Sequence, residues 1–371
     1  MALTGFLLIA TETMPAGLLQ QIAAGLATTQ ATVGQLVSAY ALGTIVATIP
    51  LIARTRAIRR KPVFRSSVLG FLLANTITAL SGSIALSLAG RFVAGAFSGL
   101  AWAMMAGYAR RIAVPENAGR ALAIASLGTP LGLALGTPLG SWVGATLGWR
   151  SSFGALSILT LLTLTLALVP DAAGQPQESH LPVAKVLAIP GVAAILAVIV
   201  AWMLAHNTVY TYIGPYLHDT RSSLPVELAL LTFGCSALLG LAITGAVIDH
   251  ALRPLVLISI TSFIAAGVVL IVGRSWTPAV VFGIALWGIA FGGAATQLQT
   301  AISNASGENA DIANSLLGVA FNLAIFAAGV LGAFLITAAG GLAPPFVMVT
   351  VPVIALGVAL TPRISAFPAR R

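Results

Sequence analysis

The chain has 371 residues, 58% of them apolar and only 7% charged, against roughly a quarter charged in a soluble domain. So sparse a charge excludes a soluble globule of this length, and so high an apolar content excludes disorder. A single cysteine, Cys235, excludes a disulfide framework and a cysteine-based metal site. The net charge of +9 has no meaning until the positions of the charges are known.

Apolar runs of the roughly 20 residues that a bilayer-spanning helix needs fall near 3–26, 31–53, 63–82, 84–109, 119–147, 151–169, 188–217, 225–248, 254–273, 277–303, 311–339 and 343–362. They predict an all-α membrane protein with twelve transmembrane helices. Period-2 alternation is absent, so a β-barrel does not fit. The longest polar interruption, PDAAGQPQESHLPVAKV at 170–186, follows the sixth run. The expected organisation is an N-terminal six-helix bundle at 1–170, a cytoplasmic linker at 171–186 and a C-terminal six-helix bundle at 187–371. With both termini in the cytoplasm, fourteen Lys and Arg residues lie on the cytoplasmic side. Three (Arg150, Arg221 and Arg274) lie opposite, as the positive-inside rule requires. The basic excess thus reports topology, and nucleic acid is not an expected partner. The first run lacks a basic leader and is too long for a cleaved signal peptide, so it is read as a retained helix.

In span one, Glu12 is the acid placed at mid-membrane, within TETMPAGLLQQIAAGL, with Pro15 weakening the helix just beyond it. A carboxyl there either takes up and releases a proton, contacts substrate, or joins helices as a structural acid. In span four, Arg91 is the basic residue inside a span and needs an acceptor. Glu12 is the acid at matching depth, so a Glu12–Arg91 pairing, direct or through water, is expected; the alternative is that Arg91 snorkels outward or bonds backbone carbonyls. Arg91, Gly95, Ser98, Trp102 and Met105 share one helical face, which is either a cavity wall or a small-residue packing seam. Span five carries LGLALGTPLGSWVGATLGW, whose Gly136, Pro138 and Gly140 read as a hinge or close helix contact. It is not a phosphate loop.

Span seven carries AHNTVYTYIGPYL, with Trp202, His206 and Tyr210 four residues apart. His206, Asn207 and Tyr210 are expected to line a cavity, where aromatic and polar groups stack on and bond a ligand. Tyr212 and Tyr216, near the outer end, fit an interfacial aromatic belt. Span ten offers Trp287 and Phe291 at four-residue spacing, then Gln297 and Gln299; span eleven offers Asn314 and Asn322. Gln297 and Asn322 serve either substrate or neighbouring helices. The four histidines lie far apart, so no metal constellation and no cofactor is expected.

At these residues the chain resembles the major facilitator superfamily, in its drug/proton antiporter branch, and within it the bacterial sugar-efflux (arabinose-efflux-type) permeases. TETMPAGLLQQIA resembles that group's first helix. RFVAGAFSG resembles the superfamily's fourth-helix signature, with Arg91 at its basic position. LGTPLGSWVGATLGWRSSF resembles the antiporter signature of helix five, and AHNTVYTYIGPYL the seventh helix of the sugar-efflux group. The loop RTRAIRRK departs from the superfamily pattern, with Thr55 in place of Asp and Ile58 in place of Gly. Arg60 remains as a candidate cytoplasmic gate residue, with Asp249 in the equivalent place of the second half.

The resemblance implies a cavity lined by helices one, four, seven and ten. It also implies proton-coupled efflux of a small organic solute (sugar, nucleoside or amphipathic drug) by alternating access, in a bacterial inner membrane and as a monomer. Glu12 and Arg91 are then the proton-coupling pair. Trp102, His206, Asn207, Tyr210, Trp287, Gln297 and Asn322 are the substrate-binding candidates. The expected partners are substrate, protons and the lipid bilayer; the alternative is a proton-linked importer or uniporter of the same fold. An enzyme is not expected, since no embedded catalytic pair is visible.

Overall fold

The structure, a computed structural model, describes residues 1–55, 57–112, 124–166, 182–220 and 222–360, with backbone alone for 106–112 and 166. Among the described residues every regular element is helical. The chain divides into two compact units, Met1–Glu178 and Ser179–Arg371. Of the expected linker, 171–181 lie outside the described residues, as do Arg56, Arg120, Arg221 and Arg363.

The first unit contains α1 (Ala2–Gly25), α2 (Gln30–Thr55), α3 (Arg60–Leu80), α4 (Ile84–Ile112), α5 (Gly128–Leu131), α6 (Thr137–Leu147) and α7 (Trp149–Leu166). A π turn, Gly132–Gly136, joins α5 to α6. It ends two residues before Pro138, which has no N–H to return to Ala134. Gly128, Gly132, Gly136, Gly140 and Gly144 recur every four residues. They lie against Ala2, Phe6, Ala10, Met14 and Leu18 of α1, which recur at the same interval. A Cβ at Gly128 would overlap the Ala2 carbonyl oxygen, and one at Gly136 would lie 2.7 Å from the Ala10 Cβ. The two segments therefore run parallel at backbone contact. Four residues overshoot one α-helical turn by about 40°, so a four-residue stripe drifts around an ideal helix. A π turn, with more residues per turn, drifts the other way and keeps the glycines on α1. In span five, the glycine run that includes Gly136 and Gly140 makes a close helix contact, and a π turn lies just before Pro138.

α2 and α4 meet as closely. A Cβ at Gly43 would overlap the Phe92 carbonyl oxygen, and one at Gly95 the Tyr40 carbonyl oxygen. Thr44 seals the crossing by donating from Oγ1 to Gly95 O at 3.0 Å.

The second unit contains α8 (Val183–Leu187), α9 (Val192–Thr211), α10 (Ile213–Asp219), α11 (Val226–Val272), α12 (Thr277–Gly292), α13 (Ala294–Ser306), α14 (Ala310–Ala339) and α15 (Pro344–Leu360). Span seven is broken at Tyr212 (φ −108°, ψ 26°), because Pro215 cannot donate to the Thr211 carbonyl. α11 has 47 residues, about 70 Å at 1.5 Å per residue, more than twice the bilayer core. Its dihedrals leave the helical region at Ala251 (φ −144°, ψ 45°), where spans eight and nine were expected to part.

The α2–α4 crossing recurs between α11 and α12. A Cβ at Gly240 would overlap the Ile289 carbonyl oxygen, and one at Gly292 the Ala237 carbonyl oxygen. One constant shift along the chain relates all four positions: Gly43 to Gly240, Phe92 to Ile289, Tyr40 to Ala237 and Gly95 to Gly292. This is an internal structural repeat, and only one of its two glycine pairs keeps a polar neighbour such as Tyr40.

Seven helical stretches are long and apolar enough to cross a bilayer. Their outward faces carry Ile49 (65% exposed), Ile258 (64%) and Phe334 (67%), while Arg91, Asn75 and Gln297 are buried. A surface greasier than the interior belongs in lipid rather than water.

Candidate functional site

The first polar site lies in the first unit, around Arg91. Its side chain is fully buried and reaches three backbone carbonyls. Nη1 donates to Thr11 O at 2.7 Å, Nη2 to Glu12 O at 3.0 Å and Nε to Leu36 O at 3.2 Å. The guanidinium carbon sits 4.7 Å from the Tyr40 ring centroid. The Thr11 carbonyl is available because Pro15, four residues on, has no N–H to give it. Arg91 thus fills a vacancy that proline opens, and it holds α1 and α2 to α4. The Glu12 backbone, not its carboxylate, is the acceptor. Among the described residues no hydrogen bond or ion pair joins the Glu12 carboxyl to the guanidinium. The guanidinium thus bonds carbonyls directly, while Glu12 and Arg91 stay near enough to interact electrostatically. The Glu12 side chain is left half-buried at the middle of α1.

Around it, the Tyr40 hydroxyl lies 2.6 Å from Ser98 Oγ and 3.2 Å from Leu8 O. Asn75 Nδ2 donates to Thr11 Oγ1 at 3.2 Å, and the Thr13 and Thr137 hydroxyls are 2.5 Å apart. Sequence reasoning missed Tyr40 and Asn75. The available signal was a buried-capable polar side chain inside each of the apolar runs two and three. On the Arg91 face of α4, Ser98 and Met105 are buried and Gly95 meets backbone, so this face is a packing seam; only Trp102 is half-buried.

The second site is an aromatic cluster in the second unit. His206 lies 5.4 Å from Tyr210, 5.5 Å from Phe233, 5.4 Å from Trp287 and 3.5 Å from Phe291, ring centroid to centroid. Trp202 joins through Phe291 and Phe263. The Trp287 indole N–H donates to His206 Nδ1 at 3.1 Å. An indole nitrogen only donates, so Nδ1 carries the lone pair and the imidazole is neutral with its proton on Nε2. Trp202, His206, Tyr210 and Trp287 are all buried, packed on one another. In this structure they form a closed cluster rather than an open wall. Phe233 was missed in the sequence, where a lone Phe in an apolar run carries no signal.

The remaining candidates are scattered. Asn207 and Asn322 are half-buried and bond their own helices, at Met203 O (2.9 Å) and Gly318 O (3.0 Å). Gln297 is buried, and its Nε2 donates to Thr244 Oγ1 (3.0 Å) and Ser259 Oγ (3.1 Å). These two residues lie on either side of the Ala251 break, so Gln297 ties the two arms of α11 together. Arg60 opens α3, half-buried, and Asp249 is exposed just before Ala251. Tyr212 and Tyr216 are no interfacial belt. Both are buried, with hydroxyls donating to Gly329 O and Leu270 O at 2.7 Å each. The sequence placed them near a span end, where belt and core tyrosines look alike.

The chain belongs to the Major Facilitator Superfamily, whose family profile matches residues 1–312. It is 29% identical over 366 residues to a chloramphenicol efflux pump of Mycobacterium tuberculosis (strain CDC 1551 / Oshkosh), covering 92% of this chain and 88% of that one. It is 26% identical over 339 residues to a probable sugar efflux transporter of Helicobacter pylori (strain ATCC 700392 / 26695), covering 90% and 87%. Among solved structures it shares its fold with the human organic anion transporter MFSD10 (TETRAN), at a TM-score of 0.68 and 16% identity over 96% of this chain and 97% of that one. The protein is accordingly a multi-pass membrane transporter, and its all-helical fold is that of the superfamily.

Proposed function

We propose that this protein exports a small organic solute from the cytoplasm in exchange for protons. Efflux is the activity named for both sets of relatives. Proton coupling rests on one observation: the carboxyl of Glu12 stands at mid-span, half-buried and without a hydrogen-bonded partner among the described residues, while Arg91 grips the backbone beneath it. An acid so placed binds and releases protons without breaking the anchor of its helix. One proton moving down 100 mV carries about 2.3 kcal/mol, enough to sustain an about 50-fold gradient of a neutral solute.

The finer layout belongs to the same reading. Splitting the 47-residue run at Ala251 and the 63-residue Thr277–Ala339 stretch near Gly307 supports twelve crossings in two groups of six. The charge asymmetry supports cytoplasmic termini in a bacterial inner membrane. Trp102, His206, Asn207, Tyr210, Trp287, Gln297 and Asn322 remain the substrate-facing candidates. Gln297 serves this role indirectly, through α11.

The test uses proteoliposomes with an imposed pH gradient and either chloramphenicol or arabinose inside. The wild-type protein is expected to expel solute faster when protons flow inward. Glu12→Gln is expected to lose that acceleration while retaining solute-for-solute exchange. Full pH-driven export by Glu12→Gln would remove Glu12 from the mechanism, and uptake driven by the same gradient would replace the exporter with an importer.

A further inference from the structure

Two N–H donors on one face of α9, at Trp202 and His206, have no acceptor among the described residues. Trp202 is 0% exposed, and its indole N–H meets no partner. One turn further, the bond from Trp287 fixes the His206 proton on Nε2, and that N–H makes no hydrogen bond among the described residues. Trp202 Nε1–H is thus a buried donor with nothing to bond, and it loses its hydration without return.

Both rings touch Phe291. Its ring stands edge-on to Trp202 at 6.1 Å and 86°, and lies flat on His206 at 3.5 Å and 6°. A flat sandwich of two electron-rich rings is the arrangement that aromatic pairs otherwise avoid, because their faces carry like charge. The other described ring pairs of the cluster stand 33° to 86° apart. Phe291 also sits where the helix gives way: α12 ends at Gly292 and α13 begins after Gly293.

We propose that Phe291 is a placeholder, and that its position against His206 is a subsite for a planar, electron-poor aryl group bearing acceptor oxygens, such as a nitroaryl, quinone or aryl ketone. The electron-poor face stacks on the imidazole, and the oxygens accept from Trp202 Nε1–H and His206 Nε2–H. A nitro or quinone oxygen only accepts, matching a site that offers donors. A sugar hydroxyl brings its own donor and finds less to bond. This names a substrate class within the exporter reading and rests on it for its purpose, not for its chemistry.

The test is calorimetric binding to the purified full chain in lipid nanodiscs, with 4-nitrobenzyl alcohol, benzyl alcohol and arabinose as probes. The nitro compound is expected to bind the wild-type protein about tenfold more tightly than benzyl alcohol, the size of one hydrogen bond to a buried donor, with arabinose weaker still. Trp202→Phe, which keeps the ring and removes the N–H, is expected to erase the difference between the two aryl probes. Phe291→Leu is expected to tighten the nitro compound. Equal binding of the two aryl probes by the wild-type protein overturns the subsite, whatever the variants do. Nitroaryl binding without pH-driven flux in vesicles would sink the exporter reading alone, and pH-driven arabinose export without nitroaryl preference would sink the subsite alone.

Discussion

Arg91 shows how a charged side chain survives inside an apolar unit without a direct ion pair. Three of its five N–H groups go to carbonyls, and the shortest bond goes to a carbonyl that a proline has left vacant. Pro15→Ala would return an N–H to Thr11 O and compete with Arg91. The destabilisation caused by Arg91→Met is therefore expected to shrink by about 1 kcal/mol in the Pro15→Ala background, a coupling of the usual size for groups sharing an acceptor; a double-mutant cycle by thermal unfolding in detergent measures it. The sequence held both halves of this bond, but an unpaired arginine points first to an acid, and no spacing rule links residues 11 and 91. Outside the spans, Asp219 accepts from His218 (3.0 Å) and from the Gly341 N–H (2.7 Å). These bonds, the one from His218 foremost, hold its carboxyl below the ordinary carboxylate range. A depressed value means the stabilisation is complete above the unfolded carboxylate's pKa of about 4 and is lost as pH falls through the lower folded value. The melting-temperature advantage of the wild-type protein over Asp219→Asn is expected to be present at pH 5 and to fade below about 4.

Helix contacts in both units are set by glycines that bring backbones together, because lipid gives no hydrophobic reward for helix association. In the α1–α5–α6 contact the interval between glycines, the interval on α1 and the π turn all agree. Filling it should be costly: Gly136→Leu is expected to destabilise by about 1–3 kcal/mol, seen as a lower unfolding temperature and reduced yield. Gly154→Ala and Gly245→Ala, whose new methyl groups meet nothing within 4 Å, are expected to be neutral or up to about 1 kcal/mol stabilising. The glycine run was legible in the sequence as a close contact, and so was the all-helical, membrane-crossing character of the chain. Its partner was not, since a stripe of Ala, Phe, Met and Leu on α1 reads as ordinary apolar helix. The breaks at Tyr212 and Ala251 each lie just before a proline and were partly foreseeable. The burial of Tyr212 and Tyr216 was not, because their acceptors lie on helices remote in sequence.

At the scale of the whole molecule, the repeated crossing of α2 with α4 and of α11 with α12 argues that the two units share a packing plan that their side chains hide. Backbone-to-backbone contacts preserve geometry while the flanking residues diverge, so one unit carries Arg91 and Tyr40 where the other carries Gly288 and Ala237. The same separation of interior from periphery has an optical consequence. Trp142 and Trp276 stand 57% and 66% exposed, whereas Trp149, Trp202 and Trp287 are at 4% or less. In membranes of brominated lipids, heavy-atom quenching is expected to darken the first two indoles and spare the others. A Trp102→Phe, Trp142→Phe, Trp149→Phe, Trp276→Phe variant would then emit from Trp202 and Trp287 alone, leaving a protein whose remaining fluorescence reports on the aromatic cluster during turnover.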